Sequence, residues 1–128
     1  MRTARLNKIL VVAGGGLLIL LGLAHISFWH IFDWKNELVH LSQDNMGMMQ
    51  IFNLCFIVLL ISLGILILVN RAEILHTKIG KHLLFMLSVF FAVRLIAEFI
   101  FPGGSLWLAT ILFLLLLVFL IPAITKTA

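Results

Sequence analysis

An arginine and a glutamate lie one helical turn apart inside a long apolar stretch of this chain. Arg94 and Glu98 both fall within the largely apolar segment 82–101. An ionisable side chain at the centre of a membrane helix costs about 2.5–3.5 kcal/mol, so it usually faces a partner, a cavity or a binding site. Arg94 offers a planar fork of donors suited to a carboxylate, a phosphate or a carbonyl group. Glu98 lies near the end of its predicted helix, where the dipole disfavours negative charge, so it needs Arg94, His25, a bound cation or a proton.

Three further polar side chains are predicted to lie at the same depth as this pair. Counted from the helix ends at 1.5 Å per residue, His25, Gln50 and Asn53 lie roughly 5–11 Å below one membrane boundary, as do Arg94 and Glu98. Gln50 and Asn53 share a helix face, and His25 lies on the glycine-bearing face of its helix. We therefore predict an outward-facing polar chamber lined by these five residues. If chemistry occurs there, His25 or Glu98 is the candidate acid–base group and Arg94 stabilises developing negative charge.

Structural roles for the same residues compete with that prediction. The ion pair between Arg94 and Glu98 would alternatively fix the helix register, locked by Gln50 and Asn53. His25 would then be a buried imidazole hydrogen-bonded to Asn53 or Glu98. The sequence leaves both alternatives open, and with them the question of whether the chain is an enzyme.

Haem and copper are the two cofactors that the spacing allows. A haem needs two axial ligands at similar depth, and His25, the only deep histidine, has only Met49 as a partner. Soft thioethers suit copper, and Met46, Met48 and Met49 cluster near His40. A methionine cluster at a helix start more often serves packing. The cofactor is therefore left open and no metal site is assigned, with His40, Met46 and Met49 as the nearest candidates.

The composition places these side chains in a membrane protein. The chain has 128 residues, of which 63% are hydrophobic and 11% are charged, against about 25% charged residues in a soluble domain. Apolar runs of about 20 residues predict an all-α, integral membrane four-helix bundle, a single transmembrane domain over 1–128. The polar link 33–45 suits a short interfacial helix, and 70–81 reads as a charged turn. The long helices are predicted at about 6–30, 46–69, 82–101 and 105–121.

The lysine and arginine residues predict the orientation of the bundle. Seven of the nine lie in the head 2–8, in the turn 70–81 or at Lys126, whereas Lys35 is alone on the other side and Arg94 is within the membrane. Cytoplasmic segments carry the excess of these residues. We therefore expect both termini in the cytoplasm, the link that contains Lys35 facing outward, and a location in a bacterial inner membrane.

The layout of four short membrane helices with a polar site on the outer side resembles the DoxX-like class of small bacterial membrane proteins. The segment LLILLGLAHISFW (17–29) is similar to the glycine-bearing first helix of that class. His25 stands where a lysine would be usual, and Asn53 stands where an acidic residue would be expected. The resemblance implies the architecture and carries over no functional residue.

Three functions follow as hypotheses. The leading one is a pocket for a small amphipathic or lipid-like ligand, such as a quinone or an isoprenoid, that enters from the lipid bilayer. The first alternative is a non-catalytic accessory or assembly subunit of a membrane complex, with a structural arginine–glutamate pair. The second is a proton-coupled small transporter that acts as a dimer. A homo-oligomer or a membrane-protein partner is therefore expected, and nucleic acid is not.

Overall fold

The computed structural model describes residues 2–125, and every regular element in that range is helical. Lys126, which the orientation prediction counts, lies outside the described residues. In chain order the helices are α1 (Arg2–Ile26), α2 (Phe28–Ile31), α3 (Trp34–Glu37), α4 (Gln43–Val69), α5 (Arg71–His76), α6 (Lys78–Ile100) and α7 (Leu106–Ile124). Helices α1, α4, α6 and α7 are each long and apolar enough to cross a membrane, which indicates a multi-pass membrane protein and is compatible with a bundle.

Large apolar side chains are exposed on all four long helices. Soluble proteins bury most side chains of this kind, whereas helices surrounded by lipid expose them. Examples, one from each long helix, are Leu20, Leu54, Val93 and Leu114.

The first helix begins and ends earlier than the predicted 6–30. It ends at Ile26 because the N–H of Ser27 donates to the carbonyl of Ala24 (3.0 Å), a bond that tightens the last turn. The chain then resumes helical structure as α2. Apolar periodicity continues through this step, and that is why the pattern predicted one unbroken helix.

The segment 70–81 was predicted as a charged turn, and that prediction is wrong. It contains α5, which buries Ile74 and Leu75, and the first residues of α6. The two helices are separated only by Thr77, whose extended backbone breaks the helix and whose hydroxyl accepts the N–H of Gly80 (3.0 Å). This side-chain cap lets a new helix begin within three residues of the previous one.

The polar link 33–45 forms short helical pieces. Asp33 adopts a left-handed backbone, and both oxygens of its carboxylate accept from the amide of Asn36 (3.1 and 2.9 Å). Helix α3 and a 3-10 turn over Leu38–His40 follow, and Trp34 and Leu38 are buried. The predicted short helix is therefore present, and its location at a membrane interface stays a prediction.

Two further helix ends differ from the prediction by about one turn, at the start of α4 and at the end of α7. Helix α4 begins at Gln43, and α7 continues through Pro122 to Ile124. Pro122 has no N–H to donate to the carbonyl four residues earlier, and only two more helical residues follow it. Lys81 Nζ donates to the carbonyls of Pro122 (3.3 Å) and Thr125, and this contact caps the end of α7.

The described part of the chain forms two compact units. The terminal unit contains the described residues up to Gly14 and from Ile67 onward, and the central unit is Gly15–Leu66. In the terminal unit, α6 and α7 form a hairpin with α5 beside it. Its core includes Phe91 and Phe119, whose stacked rings lie 5.8 Å apart.

The head of α1 is fixed into the terminal unit by polar and close apolar contacts. The fully buried Asn7 donates from Nδ2 to the hydroxyl oxygen of Thr125 (2.8 Å). A Cβ on Gly14 would lie 2.6 Å from the ring of Phe119. The side of α1 that carries Asn7, Val11 and Gly14 therefore faces the core of this unit.

In the central unit, glycines bring α1 and α4 into close contact. A Cβ on Gly22 would lie 2.7 Å from the side chain of Ile61, and a Cβ on Gly64 would lie 2.6 Å from the carbonyl oxygen of Gly15. Small residues allow membrane helices to approach in this way. The same contact brings the N-terminal half of α4, which carries Asn53, beside the C-terminal end of α1.

Candidate functional site

Arg94 and Glu98 form an ion pair along one face of α6. Nη1 of Arg94 lies 2.5 Å from Oε2 of Glu98. The two side chains differ in exposure, because that of Arg94 is 44% exposed and that of Glu98 is 5% exposed. The carboxylate is therefore enclosed, whereas much of the guanidinium is open to its surroundings.

The second oxygen of Glu98 is bound by the start of the next helix. Oε1 accepts the backbone N–H of Ser105 (2.9 Å), and Ser105 is the N-cap residue of α7. The C-terminal end of α6 disfavours the negative charge of Glu98, as the sequence indicated. The N-terminus of α7 favours negative charge, so it offsets that effect. Gly104 makes this geometry accessible, since any Cβ there would overlap the carbonyl oxygen of Glu98.

Sequence reasoning missed Ser105 because its contribution is a backbone N–H. The available signal was the short connection from Pro102 to Gly104, which forces the start of α7 back over the end of α6. Both carboxylate oxygens of Glu98 now have donors. A proton on either oxygen would displace one of them, so this arrangement favours holding the hairpin over transferring protons.

His25 and Asn53 are brought together in the central unit. Nδ2 of Asn53 donates to the backbone carbonyl of His25 (3.1 Å). That carbonyl lies in the last turn of α1, where carbonyls lack a full set of helical donors. Nδ1 of His25 lies 2.8 Å from the carbonyl of Leu21. A carbonyl only accepts, so Nδ1 carries the proton, and Nε2 is the ring nitrogen that remains for other contacts.

Asn53 carries a buried acceptor without a donor. The residue is 8% exposed, and Oδ1 has no hydrogen-bond partner among residues 2–125. The amide cannot be reversed to remove this mismatch, because Nδ2 must face the carbonyl of His25. A buried acceptor left unpaired costs about 1–3 kcal/mol, so such a group calls for a physical explanation.

Aromatic rings border this pair. The His25 ring lies 4.3 Å from that of Phe28 and 6.0 Å from that of Phe56, between ring centroids. Gln50 lies one turn before Asn53 on α4 and is half-buried. The arrangement combines one acceptor and one ring nitrogen with apolar surroundings, which suits a molecule with a small polar head and an apolar body.

The five predicted site residues thus fall into two local groups. The pair of His25 and Asn53 lies in the central unit, and the pair of Arg94 and Glu98 lies in the terminal unit. A chamber lined by all five, including Gln50, stays a prediction.

The side chains that most often bind metal ions form no suitable cluster in the described part of the chain. Among residues 2–125, no three side chains of these types lie close enough together to hold a metal ion. His40 and Met49 are exposed, and Met46 is half-buried at the start of α4. Haem and copper stay predictions, and a metal or haem bound at His25 would be held through Nε2.

No protein-family model, curated protein or solved structure matches this chain. The resemblance to the DoxX-like class, which rests on the first helix and the layout of the four helices, therefore stays a prediction.

Proposed function

We propose that the chain is a multi-pass protein of a bacterial inner membrane, with both termini in the cytoplasm and the 33–45 link outside. The distribution of lysine and arginine supports this orientation. The hydrogen bond between Asn7 and Thr125 supports it too, because it holds the head of α1 and the end of α7 at one end of the terminal unit. Lys81, from the basic segment before α6, contacts the same end.

We further propose that the chain binds a small amphipathic ligand at Asn53 and His25. The observation that carries this proposal is the buried, unpaired Oδ1 of Asn53. An amide oxygen only accepts, so the ligand must present a donor, and a hydroxyl is the simplest donor that a lipid-soluble molecule carries. An isoprenoid alcohol or a quinol, the reduced form of a quinone, carries such a hydroxyl.

The neighbouring groups define how that ligand would lie. Its hydroxyl donates to Oδ1 of Asn53, and its apolar body contacts the rings of Phe28 and Phe56. Nε2 of His25, which carries no proton when Nδ1 does, then accepts from a second donor where the polar head has one. Any proton transfer would run through Nε2, because Nδ1 is held by the carbonyl of Leu21.

The test is native mass spectrometry of the protein released from a mild detergent, with Asn53→Leu as the variant. Leucine has the same number and branching of side-chain heavy atoms as asparagine but neither polar atom, so the lost bond to His25 and the removed unpaired acceptor roughly cancel in stability. The wild-type protein should retain a bound lipid-soluble molecule, seen as added mass. The variant should retain roughly tenfold less of that molecule. Asn45→Leu is the matched control, because Asn45 is an exposed asparagine on the same helix.

Two results would contradict the ligand proposal. One is a bare protein mass in wild type after extraction and after titration with a long-chain isoprenoid alcohol. The other is a bound mass that Asn53→Leu and Asn45→Leu reduce equally. Unfolding curves of both variants check that any loss comes from the site.

A second candidate function is an accessory subunit of a membrane complex. Glu98 favours it, because both of its oxygens are taken by contacts within the α6–α7 hairpin. The pair would then be structural, and the exposed apolar faces would contact a partner protein. Deleting the chain should abolish the partner's assembly on native gels, whereas an unchanged pattern of membrane complexes would argue against this function.

A further inference from the structure

One face of α1 over residues 5–13 combines two basic side chains with an apolar surface. Arg5, Lys8, Ile9, Val12 and Ala13 line an open depression of about 550 Å³. Their spacing of three, four, seven and eight residues puts them on one side of the helix. The basic pair comes first, and the apolar residues continue for about 8 Å further along the axis.

This face is held outward by the packing of the opposite side. Asn7 and Val11 are fully buried, and Asn7 is bonded to Thr125. Ile9 and Val12 are 55% and 40% exposed, and Arg5 and Lys8 are exposed as well. The helix therefore cannot rotate to bury the depression without breaking the contacts of Asn7.

The two basic side chains are available for an anion. Neither Arg5 nor Lys8 forms an ion pair among residues 2–125, whereas Lys81 is tied to the end of α7. No acidic residue occurs in the first 32 positions of the sequence, so no carboxylate from this helix competes for them.

We propose that this face binds one anionic phospholipid. The phosphate lies between Arg5 and Lys8, where the guanidinium donates two parallel hydrogen bonds and the ammonium adds a point charge. One acyl chain follows Ile9, Val12 and Ala13 toward the membrane interior. The apolar continuation selects a lipid over a soluble phosphate, which would leave that surface unused. This inference needs membrane insertion and does not depend on the ligand proposed for Asn53.

The experiment compares two lipids on the full-length protein in a neutral mild detergent. Phosphatidylglycerol and phosphatidylcholine with identical acyl chains are added, and retention is read by native mass spectrometry. Wild type should retain phosphatidylglycerol in preference. Arg5→Gln and Lys8→Gln should each weaken that retention about fivefold at low salt.

Arg2→Gln is the matched control, since it removes the same charge from the same helix outside the depression. It should change retention less than twofold. Asn53→Leu should leave phosphatidylglycerol retention unchanged, which separates this site from the proposed ligand site. All three basic positions are exposed, so circular dichroism should show unaltered helix content.

Three outcomes would overturn the proposal. Equal retention of the two lipids would show that the protein does not distinguish an anionic lipid headgroup from a neutral one. An equal loss in Arg2→Gln would indicate diffuse attraction to the whole head. Displacement of the lipid by an equimolar amount of soluble glycerol phosphate would show that the apolar part of the surface contributes nothing.

Discussion

Replacing Glu98 with alanine should loosen the α6–α7 hairpin, because one carboxylate joins three parts of it. Oε2 binds Arg94 one turn earlier on α6, and Oε1 binds the N–H of Ser105 at the start of α7. Alanine removes both contacts and leaves the Ser105 N–H without this acceptor. The loss of these contacts affects only one end of the hairpin, because the stacking of Phe91 on Phe119 remains.

The size of the loss follows from the exposure of each contact. A hydrogen bond to a charged group contributes about 1.5–3 kcal/mol when shielded, which applies to the enclosed oxygen that binds Ser105. The contact with Arg94 is worth about 1 kcal/mol or less, because that side chain is 44% exposed to screening. Together they predict a loss of roughly 3 kcal/mol for Glu98→Ala. Glu98→Gln keeps one acceptor oxygen and should lose about half as much.

The assay is reversible unfolding in mild detergent by titration with sodium dodecyl sulfate, followed by circular dichroism. Glu73→Ala is the control, because Glu73 is an exposed glutamate on α5 and should cost less than about 0.5 kcal/mol. A loss below 1 kcal/mol for Glu98→Ala would refute the reasoning, and so would equal losses for the alanine and glutamine variants.

The same unfolding assay tests two close backbone approaches. Gly64→Ala should cost about 2 kcal/mol, because its Cβ would lie 2.6 Å from the carbonyl oxygen of Gly15, whereas Gly16→Ala has open space and should be neutral or stabilising by up to about 1 kcal/mol. Gly104→Ala should cost more than Gly103→Ala, since the former meets the backbone of Glu98 and the latter only has to hold a positive φ of 87°. Equal losses within either pair would contradict the packing described above.

The four long helices were predictable because their signal is length and apolar content, which no tertiary contact has to supply. The helix ends were less so. The end of α1 depends on a backbone bond at Ser27, and the start of α6 depends on a hydroxyl cap from Thr77. The helical content of 70–81 was missed because its charged residues outnumber its two buried apolar side chains, those of Ile74 and Leu75.

The contact between Arg94 and Glu98 was predictable, because residues four apart share a helix face. The common depth of the five residues of the candidate site stays a prediction. What counting could not supply were the backbone groups that complete it. The carbonyl of His25 orients Asn53, and the N–H of Ser105 completes the shell of Glu98. Every residue carries both groups, so only the fold decides which of them meet a side chain.

The bond between Asn7 and Thr125 has a consequence for how the protein is made. The two residues are 118 positions apart, so at 5–20 residues per second the ribosome adds Thr125 roughly 6–24 s after Asn7. Throughout that interval the amide of Asn7 lacks its final partner, although the helix that carries it leaves the ribosome before α7. The contacts that close the terminal unit around Asn7 can therefore form only after α7 has been synthesised.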